Sequence, residues 1–583
     1  MSFPRCATWL ILLGISLLGP AILLAGHQRY FPMDDAYIHF QYAQSLAARG
    51  TLEFNPGEFR GLGTTSLLWP LLLAGGIKLG IDPVIGANVL GILSLFVATL
   101  CVCALARPMF LRPESEPDRV PLGAVLIAGL FALSGNVLWF TLSGMETTMF
   151  LALGLLTLAC YQRDSWWAVG VGIGLAFWCR PEGLVLAPTV LLLEVLRLRR
   201  GGSVRWGSWL TAAILAAVVA APWVLYVHQN TGHWLPTTFA GKRVVHGDAI
   251  EHFLQKVPAL GLWTGAAQPL FVLLWLGYLV AYVFGTVAMP GPALMLKQNL
   301  GAAVAVRLSV LGLALFVFVV IPLLVRGARE VARFLRSRDL QAPGGSDLRP
   351  TSPLVLGTIG VWVWALLHNL TYLVLLPDTG TATRYQAVNH LLLWWLVGLG
   401  LMVPWRKQWK ATAAALAVAL IVVADVGYWR GVYGANLDHM RNARIAAAEY
   451  LARELPPGAP VGAYDIGALR YFGNHPIIDL GGLTDTEFVR YQLDDKVDQY
   501  LKDRGAQYLA LPSRQTGDAQ ALFEFAAYLG LDRSPLFHMT EIACFEIDRD
   551  RWLQGVQATG NYQPSVRVFR IDWKDVGPAG VTP

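Results

Sequence analysis

The chain has 583 residues, 55% of them hydrophobic and 14% charged, at a mean hydropathy of +0.48. Those proportions describe a polytopic integral membrane protein and exclude a soluble globular enzyme. The formal charge of +6 does not point to nucleic acid, because Lys and Arg gather in short loops between apolar runs, as cytoplasmic loops do.

Cys6–Gly26 is long enough to span the bilayer, and Arg5 before it places the N-terminus in the cytoplasm. The run is too long for a cleaved signal and leads directly into a loop over residues 27–82. Within that loop the adjacent carboxylates Asp34 and Asp35 precede a helical pattern from Ala36 to Arg49, with Ala36, Tyr37, Phe40, Ala43 and Ala47 recurring at three and four residues. Gly50 is its stop. The pattern predicts a short helix on the membrane surface whose acidic start sits at the water–lipid boundary. An Asp there either caps the helix or does chemistry.

Ser66–Leu79 is apolar but short and contains Pro70, so it belongs at the interface. Spans follow at about Pro83–Ala106, Val120–Thr141, Thr147–Tyr161, Ser165–Trp178, Gly183–Leu196 and Ser208–Val227. The basic loops RLRRGGSVR after Leu196, Arg326–Arg349 and Trp405–Lys410 are cytoplasmic by their charge. That adds spans at about Leu308–Val325, Pro353–Leu376, Val388–Pro404 and Ala411–Arg430, while the apolar segment Pro269–Met289 breaks the parity. The total is about 11–13 transmembrane helices. Asp34, Asp35, Glu146, Arg180, Glu182, the loop from His228 to Lys242, Arg384 and everything after Gly431 then fall on one external face.

After Gly434 the composition becomes that of a soluble domain, dividing the chain into a membrane part, 1–434, and a C-terminal part, 435–583. VGAYD, PIIDLGG, QYLALPS and RVFRIDW read as strands, and Asp438–Glu454, Asp494–Gly505 and Asp518–Leu529 as helices, giving a small α/β domain. Asp465 and Asp479 follow strands, as turn-capping residues do. Of six cysteines, Cys101, Cys103, Cys160 and Cys179 lie in or beside apolar runs and Cys6 precedes one. Cys544 stands alone in the C-terminal part, so no disulfide forms within it, and no zinc-ligand spacing occurs.

DDAYIHFQYAQSLA, FNPGE and TTSLLWPLLLA in the first external loop are followed in order by SGMETTMF (Ser143–Phe150), RPEG (Arg180–Gly183), LPTTFAGK (Leu235–Lys242), Arg384-Tyr385 and DIGALRYFG (Asp465–Gly473). This series resembles the GT-C superfamily of membrane glycosyltransferases, in particular the bacterial branch with the cell-wall arabinofuranosyltransferases, and is similar to protein mannosyltransferases. The resemblance implies an inverting glycosyltransferase of the bacterial inner membrane. It would move a hexose or pentose from a polyprenyl-phosphate donor to a cell-envelope glycan, lipid or protein acceptor, with the C-terminal domain external and helping to seat the acceptor.

Such transfer needs a base for the acceptor hydroxyl and positive charge for the departing phosphate. By the resemblance the base is Asp34, ahead of Asp35. Lys242 or Arg243, Arg384 with Tyr385, and His390 are candidates for the phosphate, since a guanidinium donates two hydrogen bonds at once. Arg384 at a helix end also suits simple snorkelling. Glu146 is either a site carboxylate or a helix cap. Arg180 and Glu182 flank Pro181 and suit a structural clamp as well as a ligand contact. A single-phosphate donor requires no metal, although a divalent ion on Asp34 or Asp35 is compatible with the pattern. The alternative is a transporter or flippase for a lipid-linked solute, which calls for inverted repeats and charges at mid-membrane. Here the charges gather at the outer edge, apart from a few such as Glu194 and Asp425.

Overall fold

The computed structural model describes residues 2–27, 30–111, 116, 118–234, 310–311, 314–336, 352–375, 380–513, 524–548, 551–552, 559 and 563–574. Lys242, Arg243 and the apolar segment 269–289 lie outside the described residues. The chain opens with β1 (Ser2–Pro4) and α1 (Arg5–Leu24), then α2 (Asp34–Arg49), α3 (Leu68–Lys78) and α4 (Pro83–Ala106). β2 (Arg119–Pro121) pairs antiparallel with β1 and leads into α5 (Leu122–Ala132), α6 (Gly135–Thr141), α7 (Thr147–Gln162), α8 (Trp166–Cys179), α9 (Leu186–Arg199) and α10 (Trp206–Thr231). Then come α11 (Ile321–Arg336), α12 (Pro353–Leu375), α13 (Ala387–Met402), α14 (Gln408–His439) and α15 (Ala446–Glu454). The remainder is β3 (Val461–Ala463), α16 (Gly467–Gly473), β4 (Ile477–Asp479), α17 (Phe488–Leu493), α18 (Val497–Asp503), β5 (Tyr508–Ser513), α19 (Glu524–Tyr528), β6 (Phe537–Glu546) and β7 (Ser565–Trp573).

Among the described residues five helices are long and apolar enough to cross a membrane: Arg5–Leu24, Pro83–Phe110, Trp206–Thr231, Pro353–Tyr372 and Gln408–Glu454. The chain is a polytopic helical membrane protein with a C-terminal α/β region. One expected span is broken rather than continuous: Val120–Thr141 is built of α5 and α6, bent 62° apart. The cause is local. At the break the Gly135 N–H donates to Asp425 Oδ2 at 2.7 Å, and a Cβ on Gly135 would stand 2.1 Å from the Trp429 ring. Asp425, buried in α14, thus satisfies a donor that opens α6. Glu194 is likewise consumed, accepting from Tyr161 Oη at 2.7 Å, from Arg197 Nη2 at 2.7 Å and from Trp209 Nε1 at 2.8 Å.

By contacts the chain divides into two units, one of residues 1–27, 87–224 and 257–433, the other of 28–86, 225–256 and 434–583. The second unit thus combines most of the first external loop with the C-terminal region.

In the second unit the sheet order is β4-β3-β5-β7-β6. β3 pairs parallel with β4 and β5, and β7 antiparallel with β5 and β6, with a bulge between Glu541 and Ala543. Phe488, Leu501, Leu509, Leu511, Phe537 and Phe569 form its core. All four expected strands form; β6 is additional. The helix expected from Asp438 has no start of its own, because α14 runs through a π turn at Met440–Ile445 into α15.

Candidate active site

α2 begins at Asp34, two residues before its apolar pattern, because Met33 already takes the extended N-cap conformation and Asp34 and Asp35 occupy the first turn. The helix stops at Gly50, which adopts φ 74 in the left-handed region. No side chain caps α2, so the reading of an Asp as its own helix's cap is corrected. Asp34 instead receives another helix. The Gly467 N–H donates to Asp34 Oδ2 at 2.7 Å and the Ala468 N–H to Oδ1 at 2.8 Å, joining the start of α16 to the start of α2. Only glycine permits this approach, since a Cβ at Gly467 would stand 2.1 Å from the Asp34 carbonyl oxygen. Gly467→Ala is therefore expected to unseat α16 from the acidic pair. Overpacking of this kind costs about 1–3 kcal/mol. A lowered unfolding temperature of the purified protein checks this; an unchanged one would show that α2 and α16 are not joined this way.

Beside Asp34, the Arg444 Nε donates to Asp465 Oδ2 at 3.0 Å and Arg444 Nη1 meets the His439 Nε2 at 2.7 Å. Asp465 is thus an ion-pair residue rather than a turn cap. Asp479 does cap a turn, accepting from Gly481 N at 2.7 Å and from Thr484 Oγ1 at 3.0 Å. Burial pushes the Asp34 carboxyl up to about 7, the nearby Asp465 adds to the rise, and Arg444 and the two N–H groups oppose it. A carboxylate has about four lone-pair sites. Two N–H donors orient the Asp34 carboxyl and leave it able to take a proton. Asp35 is half-buried in the same turn. The rest of the loop is tied down: Tyr42 Oη accepts from Gly63 N at 2.7 Å, and the Asn55 amide bonds both Ile477 O at 2.9 Å and Ile477 N at 3.1 Å.

In the first unit the structure gathers Glu146, Arg180, Glu182 and Tyr385 and adds Tyr372. Arg180 is 6% exposed. Its Nε lies 2.6 Å from Glu182 Oε1, its Nη1 3.6 Å from Glu146 Oε1, and its Nη2 donates to Tyr372 Oη at 3.0 Å. Tyr372 in turn donates to Glu182. The guanidinium lies 5.0 Å from the centre of the Tyr385 ring, which stacks on Tyr372 at 5.1 Å. Arg180–Glu182 is thus the clamp one of the two readings anticipated, and Glu146 flanks α7 without a cap hydrogen bond. Burial pushes Glu182 up, but Arg180, His368 and Tyr372 outweigh it and leave the carboxyl below its ordinary value.

Arg384 is buried, not snorkelling, in the turn Thr381–Gln386 before α13. Its guanidinium sits 5.2 Å from the Tyr385 ring centre, and Nη2 reaches Tyr385 Oη at 3.4 Å. Ala382 and Thr383 just before it both take positive φ, 54 and 63, a strained conformation for a β-branched residue. Such strain concentrates where a backbone must present particular side chains. His390 is fully buried one turn into α13, with Nε2 3.0 Å from Thr383 Oγ1. Sequence reasoning missed Tyr372, Arg444 and Gly467, and took Asp465 for a turn cap. Only Gly467 had a legible signal, a glycine inside the DIG motif.

Comparison with known proteins adds the following. The family described as a domain of unknown function, DUF8728, matches residues 433–558. No curated protein matches the chain. Among solved structures, the apo oligosaccharyltransferase of Archaeoglobus fulgidus superposes with a TM-score of 0.51 at 14% identity, over 87% of this chain and 69% of that one. The ArnT protein of Cupriavidus metallidurans, solved with undecaprenyl phosphate bound, gives 0.50 at 12% identity over 96% of this chain and 97% of that one. The mycobacterial arabinofuranosyltransferase AftD also matches, at 13% identity over 99% of this chain and 42% of that one, but its TM-score of 0.45 adds nothing to the assignment of the fold.

Proposed function

From the fold of the GT-C membrane glycosyltransferases, which this chain has, we propose an inverting transferase that moves a sugar from a polyprenyl phosphate to an envelope acceptor on the external face of the membrane. The observation that carries the reading is Asp34, a carboxyl oriented by two backbone N–H groups and poised to change charge near neutrality. Asp34 takes the proton of the acceptor hydroxyl as that oxygen bonds to the anomeric carbon. The carbon–oxygen bond to phosphate breaks, and its electron pair leaves with the polyprenyl phosphate. Arg384 meets the phosphate, and no metal is required. That ArnT binds undecaprenyl phosphate supports a donor of this class. Asp425 and Glu194, acidic residues near span ends, are committed to internal partners, which weighs against the transporter alternative.

Transfer of a labelled sugar from polyprenyl phosphate by the purified protein in nanodiscs tests the reading, with mass spectrometry of envelope glycans from cells with and without the protein naming the acceptor. Donor affinity in Arg384→Ala should fall roughly ten- to a hundredfold, since a charge-assisted bidentate contact is worth about 1.5–3 kcal/mol. Arg384→Lys should lie between. Unchanged donor affinity in folded Arg384→Ala would remove that residue from the phosphate.

A further inference from the structure

We infer that a polar cavity in the second unit binds a neutral monosaccharide unit of a glycan. The cavity, about 180 Å3, opens between the loop at residues 54–61, strand β4 and the end of α18. That is room for several waters, and so for one sugar ring. Phe54, Glu58, Arg60, Asp485, Tyr500 and Arg504 line it.

Charge decides the class of ligand. Three carboxylates, Glu58, Asp479 and Asp485, stand against two guanidinium groups, Arg60 and Arg504. The arginines are already balanced: Arg504 Nη2 contacts Asp485 at 2.8 Å and Glu487 at 2.6 Å, and Arg60 donates to Glu58. A phosphate, sulfate or uronate would meet surplus negative charge here. Sugar hydroxyls would not, because each donates to a carboxylate and accepts from an arginine N–H. Phe54, Pro460, Pro476 and Ile477 supply the apolar wall on which the C–H face of a sugar packs. The floor is rigid, since Tyr500 Oη bonds Asp485 at 3.1 Å and the Asn55 amide pins the loop to β4. That this sugar belongs to the acceptor rests on the glycosyltransferase reading; the binding itself does not.

The test uses the full chain in nanodiscs without donor, probed with neutral arabino-, manno- and galacto-oligosaccharides by saturation-transfer NMR, with inorganic phosphate as competitor. The expected result is binding of at least one neutral series, untouched by phosphate. Arg60→Ala and Glu58→Gln should each weaken it roughly tenfold or more without lowering the unfolding temperature. Both side chains are at the rim, so neither change disturbs the core. No binding of any neutral probe, displacement by phosphate, or wild-type affinity in both variants would overturn the proposal. Transfer activity persisting without oligosaccharide binding would remove the cavity and leave the catalytic reading in place.

Discussion

Asp34→Asn is expected to lower the turnover of sugar transfer by at least about a hundredfold while donor binding stays close to wild type. General-base catalysis is typically worth roughly 10²–10⁴-fold, and the amide has nowhere to put the proton. If Asp34 only held α16, the same change would cost one hydrogen bond and some stability but little rate. Asn can accept from one of the Gly467 and Ala468 N–H groups, not both. The pH profile separates the two roles further. A base must be ionised, so wild-type activity should rise through about pH 7. Stability moves the other way: the folded carboxyl is raised from 3.8 to about 7, so its contribution is complete below about pH 4 and lost as pH rises through 7. Asp34→Asn should abolish both dependences at once. Full activity in this variant, with Asp35→Asn inactive, would transfer the role to Asp35; full activity in both would end the catalytic assignment.

Arg180→Ala is the substitution expected to cost most in stability, about 3–5 kcal/mol, because removing one partner leaves uncompensated charge in the interior. Two carboxylates lose their cation together: Glu146, 3% exposed, and Glu182, otherwise bonded to Tyr372. Arg180→Met combined with Glu146→Gln and Glu182→Gln should recover most of the loss, since a buried ion cluster is often no better than neutral packing of the same volume. Denaturation of the purified variants in detergent measures both. A single Arg180→Ala variant within about 0.5 kcal/mol of wild type would mean that the cluster carries no stability.

What the sequence made legible follows the range of the interaction. Arg180 and Glu182 are two residues apart, and their pairing was anticipated; Glu146 and Tyr372 reach the same guanidinium from far along the chain, and no periodicity marks that. The four strands with strong apolar character were found, whereas β6, FHMTEIACFE, alternates polar and apolar residues too loosely and pairs only with β7. α2 was found by its apolar face, yet its start was misplaced, because that face cannot report that two aspartates belong to the first turn. The break within 120–141 went unseen for a different reason. Hydropathy is blind to a break that Asp425 satisfies from another helix. Arg384 was identified, but not the two left-handed residues that present it, since neither Ala382 nor Thr383 favours that conformation.

The amide of Asn55 has one more effect. β4 is three residues long and forms one edge of the sheet, where an unpaired strand would offer its backbone as a template for a foreign chain. Asn55 presents a donor and an acceptor at strand spacing and occupies both outward groups of Ile477. It acts as a strand one residue long that cannot itself be extended. Growth of the sheet on that side ends at a side chain, so this edge is closed to the strand-by-strand association that turns exposed sheet edges into aggregates.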